Sequence, residues 1–236
     1  MTKMNLKSVG IIVAASTVLA ACQPKSGSKT VTLANENDSA SYALGVLIGQ
    51  NNKQNLDASP GTKDLNVDIL MNAFEKQMKG EESQMDAAKA NTLIQGFFEK
   101  VSAREATKNA EEGKAFLETN KAKAGVVTTA SGLQYEILKE GTGPKPTAQQ
   151  NVKCHYHGTL INGTVFDSSV DRGEPATFNV SQVIPGWTEA LQLMPVGSKW
   201  KLYIPGELAY GERGAGKDIG PNSALIFEVE LLEITE

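Results

Sequence analysis

Two hydrophobic periods divide the chain. From Asp38 to about Ala124 apolar residues recur at helical spacing, and after Gly125 they alternate with polar ones. The clearest helical stripe is Val67, Leu70, Met71, Phe74 and Met78, which predicts a helix over Val67 to Lys79, capped by Asn66 and stopped by Gly80. Before it, a helix is expected from Ser39 to Asn52, with Asp38 or Ser39 as cap and Tyr42, Val46 and Gly49 on one face; Pro60-Gly61 is the strong break between the two. A third helix is expected from near Ser83, which with Asp86 makes a capping-box-like start, and it has room for about 40 residues, or ~60 Å. Met85, Leu93, Phe97, Phe98 and Val101 give its first part an apolar face. From Ala103 to Ala124 only Phe116 and Leu117 are large and apolar, and the charges Lys108, Glu112, Lys114 and Glu118 predict a solvated stalk.

Beyond Gly125 a strand is expected over Leu133 to Lys139. In the next, Val152, Cys154, Tyr156, Gly158 and Leu160 alternate with polar residues, and Asn162-Gly163 then signals a hairpin. Trp200, Leu202 and Ile204 form a third alternating set, with Lys199, Lys201 and Tyr203 on the outward phase; Leu225, Phe227, Val229 and Leu231 form a fourth. One short helix opens at Pro185-Gly186 and presents Trp187, Ala190, Leu191 and Met194. The fold class is α+β: an all-α N-terminal half and a long helix, then an antiparallel sheet packed on one helix.

The N-terminus bears on location. Lys3 and Lys7 precede an apolar run from Val9 to Ala21 of about 13 residues, too short to span a bilayer as a helix and laid out like a secretory leader. Leu19-Ala20-Ala21-Cys22 resembles a bacterial lipobox. The resemblance implies cleavage after residue 21 and acylation of Cys22 as a membrane anchor; the plainer reading is an ordinary cleaved signal with an incidental cysteine. Gln23 rather than Asp after Cys22 points to the outer membrane, facing the periplasm, with the cell surface as the other possibility. The expected organisation is a leader over 1–21, a flexible tether over 22–37, a helical domain with its long helix over 38–124 and a β domain over 125–236.

Several chemistries find no support. The net charge of −4 argues against nucleic-acid binding. There is no nucleophile elbow, P-loop or dinucleotide fingerprint, so neither nucleophilic catalysis nor a nucleotide cofactor is expected. His155 and His157, the 2 histidines of the chain, share a strand face but lack a third ligand, so no metal is expected, and no cofactor of any kind. Cys154 falls on the apolar phase of its strand and reads as a buried thiol.

What remains is a set of aromatic residues beside turns: Tyr156, Phe166 next to Asp167, Phe178, Trp187, Tyr210 and Phe227. With the segments VKCHYHG (152–158), GTVFDSS (163–169), VIPGW (183–187), AYG (209–211) and LIFEVELL (225–232), they resemble the FKBP-type peptidyl-prolyl cis/trans isomerases in order and spacing. The resemblance implies an FKBP-like sheet wrapped on the short helix and a pocket walled by Tyr156, Phe166, Phe178, Val183, Ile184, Tyr210, Ile219 and Phe227, with Trp187 at its floor. It makes Asp167, Tyr210, Tyr156 and Phe166 the catalytic set, Ile184 N–H a donor to a ligand carbonyl, and Arg172 a support for Asp167 and Tyr156. The family's rim aromatic is replaced by Ala176, and no rim contact transfers to Glu212–Lys217. SYALGVLIGQ (41–50) and the long helix resemble the macrophage infectivity potentiator-like branch, which implies a homodimer through residues 38–100; a self-contained three-helix packing is the alternative from the residues alone. Implied partners are proline-containing and unfolded exported polypeptides, a membrane through Cys22 and macrolide inhibitors. A chaperone that captures chains without turnover would use the same pocket residues.

Overall fold

Three long helices precede a seven-stranded antiparallel sheet in the computed structural model, which describes residues 30–235. The leader, Cys22 with its lipobox and the first part of the tether lie outside the described residues. By its internal contacts the chain divides after Gly49, and the second unit runs from Gln50 to the C-terminus.

Helix α1 spans Glu36–Ala58. It begins earlier than the spacing predicts because Asn35, not Asp38 or Ser39, is the cap: Asn35 Oδ1 accepts from the Asp38 N–H at 2.9 Å. Asp38 instead sits in the first turn, where a carboxylate favours the positive helix end. Helix α2, Val67–Lys79, has the expected bounds. Asn66 accepts from the N–H groups of Asp68 and Ile69, and Gly80 closes the helix in the left-handed region at φ 69°, where a Cβ would be strained. Helix α3 spans Ala87–Asn120, and its cap is Asp86, which accepts from the Lys89 N–H at 2.7 Å. Ser83 is not the cap; its hydroxyl donates to Met85 O, while the carboxylate adjoining the helix takes the free N–H. Neither α1 nor α2 buries a residue fully, and Leu47, Ile69 and Met78 are 64, 68 and 67% exposed.

The strands are β1 (Val126–Thr128), β2 (Gln134–Lys139), β3 (Asn151–Leu160), β4 (Val165–Ser168), β5 (Ala176–Asn179), β6 (Lys199–Ile204) and β7 (Leu225–Thr235), in the order β1-β2-β6-β7-β3-β4 with β5 also paired to β3. The Asn162-Gly163 turn joins β3 to β4 as expected, with Gly163 at φ 86°. Short helices α4 (Ser169–Arg172) and α5 (Pro185–Leu193) complete the domain. The inward residues of β3, β6 and β7 pack with Trp187, Ala190 and Leu191 of α5 in one core. Strand β3 alternates buried and half-buried as its sequence predicts. The opposite face carries cross-strand pairs such as Lys153–Glu233 at 3.2 Å and Lys199–Glu228 at 3.2 Å, which are solvated and individually weak.

The second half of α3 is not the solvated stalk its composition suggests. Its few apolar residues are placed where the outer face of the sheet needs covering: the Phe116 ring lies 6.0 Å from that of Tyr203, which is 5% exposed although it belongs to the outward phase of β6. A Cβ added at Gly113 would stand 3.0 Å from Ala224 Cβ, so helix and sheet approach closely. Polar residues complete the seam, a signal that an apolar-period reading misses. Asn120, fully buried, donates from Nδ2 to Gln134 Oε1 at 2.9 Å, and Gln134 Nε2 donates to Leu117 O at 2.9 Å. Gln134→Ala strands the buried amide of Asn120 and is expected to lower unfolding stability by about 1–3 kcal/mol in urea titrations followed by tryptophan fluorescence.

Candidate active site

Strand β3 carries Tyr156 into the core face, and two residues on is Gly158. A Cβ there would meet the rings of Phe166 at 2.7 Å and Phe227 at 2.8 Å, so this glycine makes the space in which the two rings close on each other, 5.4 Å apart and nearly perpendicular. Pro185 at the first turn of α5 fixes the entry to that helix, which buries the Trp187 indole. Tyr156, Phe178 and Phe227 meet the indole edge-on at 5.5, 5.5 and 5.2 Å. Such perpendicular arrangements set the positive edge of one ring against the negative face of another. Above them opens a cavity of about 560 Å³.

Tyr156, Phe166, Asp167, Phe178, Val183, Ile184, Trp187, Tyr210, Ile219 and Phe227 all line this cavity. The structure thus brings together every pocket residue the sequence singled out. Arg172 is not on the lining but stands behind it, in α4: it pairs with Asp167 Oδ1, and its Nη2 donates to the Tyr156 hydroxyl at 2.8 Å. The Tyr156 hydroxyl in turn donates to Asp167 Oδ2 at 2.6 Å. The Ile184 N–H, at the N-cap of α5, has no acceptor among the described residues. The buried Trp187 Nε1–H also lacks a protein acceptor; Trp200 Nε1, in the sheet core, shares this property, which therefore does not mark a site.

Sequence reasoning missed five lining residues: Gln182, Ala215, Gly216, Lys217 and Asp218. The last four occupy a turn closed by paired hydrogen bonds between Ala215 and Ile219, a local geometry without an alternating or helical signature. It also missed Ser169, whose buried hydroxyl accepts from the Tyr156 N–H at 2.7 Å and donates to Tyr156 O at 3.2 Å, fixing the strand at the residue that faces the pocket. The Ser168-x-x-Asp171 capping pattern was the available signal: Ser168 Oγ accepts from the Asp171 N–H and starts α4, which delivers Arg172.

The electrostatics of the rim follow from these bonds. Partial burial alone raises the Asp167 carboxyl, but the hydrogen bond from Tyr156 and the bond and charge of Arg172 outweigh it and leave it below the ordinary aspartate value. Tyr210 is pushed up, first by desolvation and then by the charge of Asp167. Elsewhere, burial drives the Cys154 thiol up to about 12, so it stays protonated and is no nucleophile at neutral pH. His155 and His157 bond through Nδ1 to Ser169 Oγ and Ser168 Oγ respectively. Among the described residues no group of three or more His, Cys, Asp or Glu side chains is placed to hold a metal ion.

The profile described as FKBP-type peptidyl-prolyl cis-trans isomerase matches residues 143–232, and that of the domain amino-terminal to such isomerases matches residues 37–137. The chain is 43% identical to the outer membrane protein MIP of Legionella longbeachae over 98% of both chains. The chain belongs to the FKBP-type peptidyl-prolyl cis-trans isomerase family. It is also 46% identical to the FKBP-type 22 kDa peptidyl-prolyl cis-trans isomerase of Escherichia coli strain K12, over 83% of this chain and 94% of that one. The crystal structure of FkpA from Escherichia coli matches with a TM-score of 0.66 at 34% identity, over 86% of this chain and 99% of that chain. N-terminal helices followed by an FKBP-like antiparallel sheet are therefore the architecture of the chain as of that FKBP-type relative.

Arg172→Met removes one hydrogen bond and the adjacent positive charge from Asp167, so a ¹³C-detected carboxyl titration is expected to show the Asp167 pKa rising. The sign for stability follows. A carboxyl lowered in the folded state adds stability above the unfolded value of ~3.9, and this is lost as pH falls through the folded value. The variant should lose that part of the acid slope.

Proposed function

We propose that the 560 Å³ pocket is where this FKBP-type isomerase rotates the peptide bond preceding proline, with the proline ring held by Tyr156, Phe166, Val183, Ile184, Trp187 and Phe227. The observation that carries this reading is the aromatic box around Trp187, with Asp167 held by Tyr156 beside it. Resonance gives the X-Pro bond a barrier of ~18–20 kcal/mol and makes uncatalysed exchange slow. The planar amide carries separated charge that water stabilises, whereas the twisted amide has lost that resonance. A water-poor, aromatic pocket therefore favours the twisted state over the planar one, and no covalent step is needed. The free Ile184 N–H and the Tyr210 hydroxyl, both from residues that line the cavity, would take carbonyl oxygens of the bound peptide. Asp167, held by Tyr156 and Arg172, supplies a fixed negative potential on the rim beside the rotating bond. The same pocket suits macrolide inhibitors that present a carbonyl to these donors.

Residues 38–124 we take as the dimerising half and 125–236 as the catalytic domain. Support for a homodimer through residues 38–100 comes from the exposed apolar residues of α2 and the first half of α3, among them Ile69, Met71, Leu93 and Ile94. For location, the lipobox at Cys22 supports a lipid anchor, and among the described residues no helix is long and apolar enough to cross a membrane. One relative is named an outer membrane protein. Together these favour an enzyme anchored in the outer membrane, facing the periplasm and acting on exported polypeptides.

Two measurements test this. In NMR exchange spectra of a short X-Pro peptide, sub-stoichiometric protein should accelerate cis/trans exchange far above background. An Asp167→Ala, Tyr210→Phe double variant should retain about a tenth of that rate or less, one to two lost hydrogen bonds to charged or buried groups being sufficient. An unchanged rate removes the polar part of the assignment. Sedimentation at micromolar concentration should give twice the monomer mass, and a monomer would sink the dimer.

A further inference from the structure

Tyr210 opens a loop, Gly211–Ser223, that carries one edge of the pocket down to Ile219. Two of its ties are internal: the Asn222 N–H donates to Gly211 O at 2.8 Å, and Ala215 and Ile219 exchange backbone bonds at 2.8 and 3.2 Å. A third comes from far away in sequence. Asn109, on α3, donates from Nδ2 to Pro221 O at 2.9 Å. Among the described residues it is the one side chain outside the loop that hydrogen-bonds to it.

The loop is shaped to receive that amide. A Cβ at Gly220 would stand 2.9 Å from Asn109 Nδ2, so glycine there leaves room for the bond, and Asn222 at φ 55° turns the backbone in the left-handed region immediately after Pro221. The route to the pocket is short. Pro221 precedes Asn222, whose N–H is bonded to Gly211 O, and Gly211 follows Tyr210. The platform is firm as well, since Phe116, Gly113 and Asn120 fix the same helix to the sheet.

We infer that Asn109 is a positioning residue for the isomerase: from α3 it holds the Gly211–Ser223 loop and so sets Tyr210 and Ile219 on the pocket rim. The inference rests on the pocket reading above. It makes the long helix part of the catalytic apparatus rather than a spacer, because displacing α3 displaces a substrate-facing hydroxyl.

Full-length Asn109→Asp presents an acceptor to an acceptor at nearly constant size, and Asn109→Ala removes the donor without adding charge. Both are expected to lower kcat/KM for a proline peptide about three- to tenfold, the worth of one partly buried hydrogen bond, mostly through KM. Melting temperature should move little, while backbone amide resonances of 211–223 shift or broaden. In a Tyr210→Phe background the loss should shrink, because the two residues act through one geometry. Unmoved loop resonances, or the same fold-loss in both backgrounds, would overturn the inference. If the unmutated chain itself gives no acceleration, the pocket reading fails instead, and the loop resonances still decide whether Asn109 holds the loop.

Discussion

The indole of Trp187 is met edge-on by three aromatic rings at 5.2–5.5 Å, and the other features of the pocket are arranged around that contact. Its depth depends on α5 packing against the inward residues of β3, β6 and β7. Its width depends on Gly158, since any side chain there would push Phe166 and Phe227 apart. Rings held in this way keep their shape without a ligand, so little ordering cost falls on binding. The rings and aliphatic side chains among its lining are what the proposed chemistry requires of a surface that takes proline.

Among the polar groups that line the cavity, Asp167 is held from behind. Asp167 accepts from Tyr156 and Arg172, Arg172 lies over the Tyr156 ring at 5.6 Å, and Ser169 pins the Tyr156 backbone. This network keeps Asp167 ionised and stationary rather than poised near neutrality as a proton donor or acceptor should be. That arrangement agrees with the proposed mechanism, which asks for binding and desolvation and for no covalent or acid–base step.

How much of this was legible in the sequence depended on the kind of force involved. Period-driven features read well: α2 with Asn66 and Gly80, the alternation of β3 and the Asn162-Gly163 hairpin are local patterns with local causes. The pocket aromatics read well through family resemblance, because each adjoins recognisable turn chemistry. What escaped were contacts between distant segments made by polar or small residues. Asn109, Gly113 and Asn120 sit in a stretch whose composition suggests solvation, yet they fit α3 to the sheet. Tyr203 looks outward by alternation and is buried by that helix. The Ala215–Asp218 wall follows from turn geometry that no hydrophobic period encodes.

Isomerisation by desolvation and fixed polar contacts at the rim, with no proton in flight, is the central claim. The direct test is the solvent isotope effect on kcat/KM, measured for one X-Pro peptide in H2O and D2O. A ratio of about 1 is predicted, because no O–H or N–H bond is broken at the transition state; a ratio of about 2 or more would show proton transfer at the barrier and contradict the account.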